Sequence, residues 1–132
     1  IHIWKSSLEI VSDNVFFGVG TGDINSELNK KFYQNDQEYL ATKDTNSHNQ
    51  ILDYLIKYGF IGFTFISIAF SFYFKTAWKY EKSIYLMFLV LSCCCMMTEN
   101  ILNRQYGIVF FFFLAFYSFL AGVLFRKNFK IN

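Results

Sequence analysis

Three apolar stretches without a single charge constrain this chain more than any other feature. They cover residues 59–74, 84–97 and 107–125, which is 16, 14 and 19 residues. As helices they would run about 24, 21 and 28 Å, against a bilayer hydrocarbon core of about 30 Å. The third is predicted to cross a membrane as it stands. The first crosses if it extends back over Leu55 and Ile56, with Lys57 snorkelling from its polar end. The second is long enough only if the helix continues from Thr98 to Leu102. The expected fold is therefore all-α: a polar region of short helices at residues 1–58, then about three transmembrane helices near 55–74, 84–102 and 107–125. A pair of buried helices in a soluble core is the alternative reading of the same lengths.

Charge placement orients the spans. Residues 1–58 carry five lysines against eight acids, whereas residues 59–132 carry seven basic residues against two acids. The connector 75–83 holds Lys75, Lys79 and Lys82, and the tail 126–132 holds Arg126, Lys127 and Lys130. Under the positive-inside rule both are cytoplasmic. Residues 1–58 and the connector 98–106 then share the outer face, where His48 and Arg104 can meet. The membrane domain is expected over residues 59–125. Residues 1–4 read as the middle of an element, so the chain is expected to be the C-terminal part of a longer protein. With no secretory signal pattern, membrane targeting falls to internal segments or to a part upstream. The polar half offers no basic stripe interleaved with stacking aromatics, so nucleic acid is a poor partner.

Within the polar half, Ile3, Trp4, Leu8 and Val11 fall at helical spacing, predicting an interfacial amphipathic helix over residues 1–13. The run GVGTGD places glycines at 18, 20 and 22. Its spacing fails the dinucleotide fingerprint, because Asp23 stands where the third glycine belongs. These glycines either allow a tight chain reversal or present backbone amides to an anion or sugar. In the stretch TNSHNQILDYLIKYGFIG, His48, Leu52, Leu55, Gly59 and Gly62 fall on one face of a helix starting near His48. Ser47 or Asn46 would cap it. Gly59 and Gly62 at this spacing are expected to let another helix approach closely. Asp53 and Lys57 read as the wet face of the same helix.

Glu99, Arg104 and Gln105 lie in the short outer connector, where charges near hydrocarbon pair or face a cavity. Cys93, Cys94 and Cys95 are consecutive. Helical neighbours point about 100° apart, so the three cannot hold one metal, and an adjacent pair makes a strained disulfide. They read as polarizable filler in an apolar helix.

His48-Asn49, nine residues, then Gly59-x-x-Gly62 resembles the signature of the O-antigen ligase and O-antigen polymerase superfamily. The run from Ile3-Trp4 through FFGVGTGD is similar to that family's glycine-rich stretch, without its usual proline. MTENILNRQYGIVFFFF (97–113) is similar to the late segment of many members. The resemblance implies a multi-pass bacterial inner-membrane glycosyltransferase, with residues 1–58 ending a large periplasmic loop. It implies a glycan donor linked to undecaprenyl pyrophosphate and an acceptor sugar, on lipid A–core for ligases or on another repeat unit for polymerases. No metal or other cofactor is implied.

On that resemblance His48 is the catalytic residue that receives or orients the acceptor hydroxyl, since an imidazole titrates near neutrality. Asn49, Glu99, Arg104 and Gln105 are the expected substrate-binding residues. Arginine forks suit pyrophosphate, yet residues 1–58 contain none and Arg104 is the one arginine expected on the outer face. The family's loop arginine is expected upstream of Ile1, so these residues alone are expected to be inactive. A non-catalytic transport or assembly segment is the reading from another class. It calls for charged residues lining a path through the spans, and the three apolar stretches hold none.

Overall fold

The computed structural model describes residues 2–43, 45–79 and 83–129. Residues 80–82 and 130–132, with Lys82 and Lys130 of the charge argument, lie outside the described residues. The described residues form six α-helices and no strand. These are α1 (His2–Asp13), α2 (Ile24–Gln34), α3 (Glu38–Thr42), α4 (Gln50–Lys79), α5 (Ser83–Met96) and α6 (Gln105–Phe129), with a 3-10 turn at Ile101–Asn103. The chain divides into two compact units, Ile1–Ser67 with Met96–Asn100, and Ile68–Cys95 with Ile101–Asn132.

In the first unit, Ile24, Leu28 and Phe32 recur every four residues and form the buried face of α2. Together with Ile10, Leu40, Ala41 and Ile56 they make its core. Leu28 and Phe32 are fully buried, worth about 1.5–3 kcal/mol each by apolar burial. Helix α2 stops in a Schellman turn. Asp36 takes φ 56, the Gln37 amide donates to Phe32 O at 2.8 Å, and the Asp36 amide to Tyr33 O at 3.3 Å. The Asn35 side chain then ties this turn to α1, donating to Ser6 Oγ and Glu9 Oε2, each at 2.9 Å.

Helix α1 forms where its periodicity predicts, but its apolar stripe splits. Ile3 and Val11 pack against the core beside buried Ile10, while Trp4 and Leu8 face outward. The buried face is completed by Ser6 and Ser7, whose small side chains bring α1 close to its neighbour.

Helix α4 is broken at Gly59, which adopts φ 61 and ψ −168, a combination open essentially to glycine alone. A continuous helix would join the Phe60 amide to Ile56 O and the Ile61 amide to Lys57 O. Here the loop 15–20 fills the break. Val19 and Gly20 donate to Ile56 O and Lys57 O at 2.8 and 3.0 Å, while the Phe60 and Ile61 amides donate to Val15 O and Phe16 O at 2.7 and 3.2 Å. Four bonds to the loop thus replace two within the helix. The fit is reciprocal. A Cβ on Gly18 (φ 69) would lie 2.6 Å from Gly59 N, and one on Gly59 would lie 2.5 Å from Phe17 N. The expected helix–helix seam at Gly59 is thus corrected: its close neighbour is the glycine-rich loop. Gly62 accommodates the Tyr58 side chain, which the break swings against it.

In the second unit, Phe111 is buried among Phe70 and Phe88, with ring centroids 5.5 and 5.7 Å away. Gly107 packs on Ile101, where a Cβ would lie 2.8 Å from Ile101 Cγ2. Among the described residues one helix, Gln50–Thr76, is long and apolar enough to cross a membrane, and Tyr85–Met96 and Gln105–Tyr117 are shorter apolar helices. The second expected span stops short. Helix α5 ends at Met96, and residues 97–103 form turns and the 3-10 element instead of carrying the helix to Leu102. Cys93, Cys94 and Cys95 all lie on the apolar α5, Cys93 half-buried and the other two exposed.

Candidate functional site

The segment Thr45–Asn49 builds the site through competing side-chain caps. Asn46 Oδ1 accepts the His48 amide at 3.0 Å, an Asx turn that holds His48 at φ 46. That left-handed conformation costs a residue with a Cβ about 1–2 kcal/mol, so the turn around it must hold it in place. The helix cap is Asn49, not Ser47 or Asn46: its Oδ1 accepts the Ile51 and Leu52 amides at 2.9 and 3.1 Å. His48 therefore stands outside α4, off the stripe of Leu52 and Leu55. Gly62, beyond the break, leaves that stripe at the other end.

The return segment 96–100 is fastened to this helix start. Asn49 Nδ2 donates to Met97 O at 3.1 Å. Asn100 Nδ2 donates to Ser47 Oγ at 3.2 Å and, more weakly, to Asp53 Oδ1 at 3.4 Å. Asp53 Oδ2 in turn lies 2.6 Å from Lys57 Nζ. Ser47, Asn49, Gln50, Asp53 and Asn100 are all buried. Asp53 is only 1% exposed, so the expectation of a wet helix face is corrected: Asp53 and Lys57 form a buried ion pair. Ser47, Gln50, Asp53 and Asn100 carried no site expectation from sequence. The available signal was the spacing Asn49, Asp53, Lys57, three polar residues four apart beside an apolar run.

These fastenings set Glu99 Oε1 3.3 Å from His48 Nδ1, with both side chains roughly half exposed. With Glu99 as the acceptor, this bond uses the Nδ1–H tautomer of His48, which would leave the Nε2 lone pair for a substrate hydroxyl. The pair thus presents an oriented proton acceptor, fixed by a neighbouring acid.

Two expected substrate contacts, Arg104 and Gln105, belong to the second unit. Arg104 Nη1 donates to the Tyr106 hydroxyl at 3.0 Å, and Gln105 opens α6. Both polar atoms of Asn49 are engaged within the first unit. Of the loop glycines, Gly18 is the one against α4, while Gly20 (φ 90) and Gly22 have open space where a Cβ would stand. Gly18 also lines a polar groove of about 690 Å³ with Asp13, Asn14, Asp23, Lys30 and Lys31.

No curated protein and no solved structure matches the chain. A family model does: that of Wzy_C, described as O-antigen ligase, matches residues 1–67. The match spans the glycine-rich loop, the Asx turn at His48 and the break that the loop fills. This chain belongs to the O-antigen ligase family.

Proposed function

We propose that the protein is an inner-membrane glycosyltransferase of the ligase type, moving a glycan from undecaprenyl pyrophosphate onto an acceptor sugar of lipid A–core. The observation that carries this reading is the His48–Glu99 pair, a half-exposed imidazole 3.3 Å from a carboxylate, with His48 inside the region matched by the family. His48 Nε2 takes the proton of an acceptor hydroxyl as its oxygen attacks the anomeric carbon. The bond from that carbon to the pyrophosphate oxygen breaks, and the pyrophosphate leaves with the electron pair. Glu99 stabilises the imidazolium that forms, so its role is toward His48 and not toward sugar. Arg104 and Gln105, which belong to the second unit, remain proposed substrate-binding residues, the guanidinium fork of Arg104 suiting a phosphate. Asn49 becomes a positioning residue.

On this reading residues 1–58 and 98–106 are periplasmic, and 75–83 and 126–132 are cytoplasmic by the positive-inside rule. The helix Gln50–Thr76 supports one such crossing by its length and composition.

The test is transfer by the full-length protein in membranes with saturating donor. Removing a general base costs about 10²–10⁴-fold, so His48→Ala should lose that much at unchanged membrane abundance. Wild-type transfer by His48→Ala would place the chemistry elsewhere. Glu99→Gln, which keeps the shape but lacks the charge, should fall less.

A further inference from the structure

We propose that the tip of the glycine-rich loop is a lipid anchor: Phe16 and Phe17 insert into the bilayer at the boundary between headgroups and acyl chains. Phe16 is 65% exposed and Phe17 78% exposed, on backbone fastened to α4 where its charge-free run begins. Two large apolar side chains held outward on an ordered turn are costly in water and favourable in lipid.

The occupant follows from what the tip is joined to. Gly59 opens the charge-free stretch of the one described helix long enough to cross a membrane. From Gly59 to Phe74 that stretch rises about 24 Å, some 6 Å less than a hydrocarbon core of about 30 Å. Extension back across the break over Ile56 and Leu55 would supply the missing depth. The last cation before the break, Lys57, is paired with buried Asp53 at 2.6 Å. Broken backbone near hydrocarbon is tolerated only when its amides and carbonyls are bonded. Loop 15–20 meets that requirement bond for bond, with Val15 O and Phe16 O serving the Phe60 and Ile61 amides. Phe60 is itself 61% exposed, so aromatic surface continues from the loop tip onto the helix. A bilayer is the partner that such a surface fits, since the helix to which the tip is pinned is long and apolar enough to cross one.

The test uses the full-length protein in phosphatidylethanolamine–phosphatidylglycerol vesicles, with every native tryptophan, Trp4 and Trp78 included, changed to Phe. Phe17→Trp should give blue-shifted emission, lose most of it to lipids brominated on the upper acyl chain, and resist acrylamide. Phe60→Trp reports on the span in parallel. Adding Gly18→Val should undock the loop, abolishing lipid quenching of the tryptophan at 17 while that at 60 is unchanged. Quenching at 17 by acrylamide but not by lipid, with position 60 still lipid-quenched, overturns the proposal. So does shielding from both quenchers, which would mean a protein covers the tip. Lipid quenching at 17 that survives Gly18→Val overturns the role given to docking. If the Gly18→Val protein does not accumulate, the Phe17→Trp measurement decides alone. Absence of lipid quenching at both positions removes the span on which the anchor rests. All these readings are independent of glycan transfer, so failure of the enzymatic reading would leave them standing.

Discussion

Replacing Asn49 separates a residue that holds the site together from one that touches substrate. Its Oδ1 caps α4 through the Ile51 and Leu52 amides, a role worth about 1 kcal/mol in similar caps. Its Nδ2 holds Met97 O at 3.1 Å, a net contribution of about 1 kcal/mol for a neutral hydrogen bond. Asn49→Ala removes both, about 2 kcal/mol, or roughly 30-fold in a local opening equilibrium. Asn49→Ser keeps a capping oxygen and loses only the tether to Met97, about 1 kcal/mol and roughly 5-fold. Hydrogen exchange read by mass spectrometry over residues 49–53 and 96–100, on the full-length protein in nanodiscs, resolves the two. Asn49→Ala should speed exchange in both segments, and Asn49→Ser chiefly in 96–100. Transfer should fall less than for His48→Ala, because the imidazole survives while Glu99 is less well held. Wild-type exchange in both segments together with a transfer loss above about 10²-fold would refute this, because that size belongs to a group acting at the reaction itself.

The buried ion pair gives a larger effect. Asp53→Ala leaves Lys57, with 13% of its side chain exposed, without its carboxylate, and should destabilise the protein by about 3–5 kcal/mol in detergent unfolding. Asp53→Ala with Lys57→Met should recover most of that loss. Gly59→Ala imposes φ 61 and ψ −168 on a residue with a Cβ and drives that atom into Phe16, so it should cost more than about 1–3 kcal/mol of strain. Gly22→Ala, with open space at its Cβ, should change thermal stability little. The Lys31 ammonium is hydrogen-bonded to Asp13 at 2.8 Å, which together with the charges of Asp13, Glu9 and Glu27 raises its pKa above the usual lysine value despite the opposing effect of desolvation. A raised lysine pKa adds stability below its unfolded-state value and loses it as pH rises through the folded one. Wild type should therefore lose more stability than Lys31→Met in strongly alkaline solution and none of that difference near neutrality.

Local rules made the helices legible, while the joints between distant segments left little trace in the sequence. Periodicity located α1, and the shortage of charge located the apolar part of α4. The Ser/Asn cluster announced a cap but could not say which residue made it, because Asn46, Ser47 and Asn49 all have suitable oxygens. Only the folded chain shows Asn46 bonded to His48, leaving the cap to Asn49. Asp53 looked wet because a charged residue four before a lysine is usual on a solvated helix face. It is buried instead, and Asn100, 47 residues away, donates to its Oδ1. Arg104 drew attention as a charge near an apolar run, and nothing in that spacing announced its bond to the Tyr106 hydroxyl.

The glycines show most clearly why the rest was hidden. For Gly18 the obstacle to a side chain is the backbone of residues 56–59, and for Gly59 it is the backbone of Phe16 and Phe17. Backbone-to-backbone bonds such as Val19 to Ile56 O depend on no side chain, so no residue pattern announces them. The same geometry removes His48 from the stripe that first drew attention to it. A histidine on α4 would turn with the helix. On the Asx turn it is held from two sides instead, by Asn46 through its amide and by Glu99 through its ring. Its orientation therefore depends on the 96–100 segment staying fastened by Asn49 and Asn100. For that reason, substitutions at those buried amides should reach the imidazole without altering it.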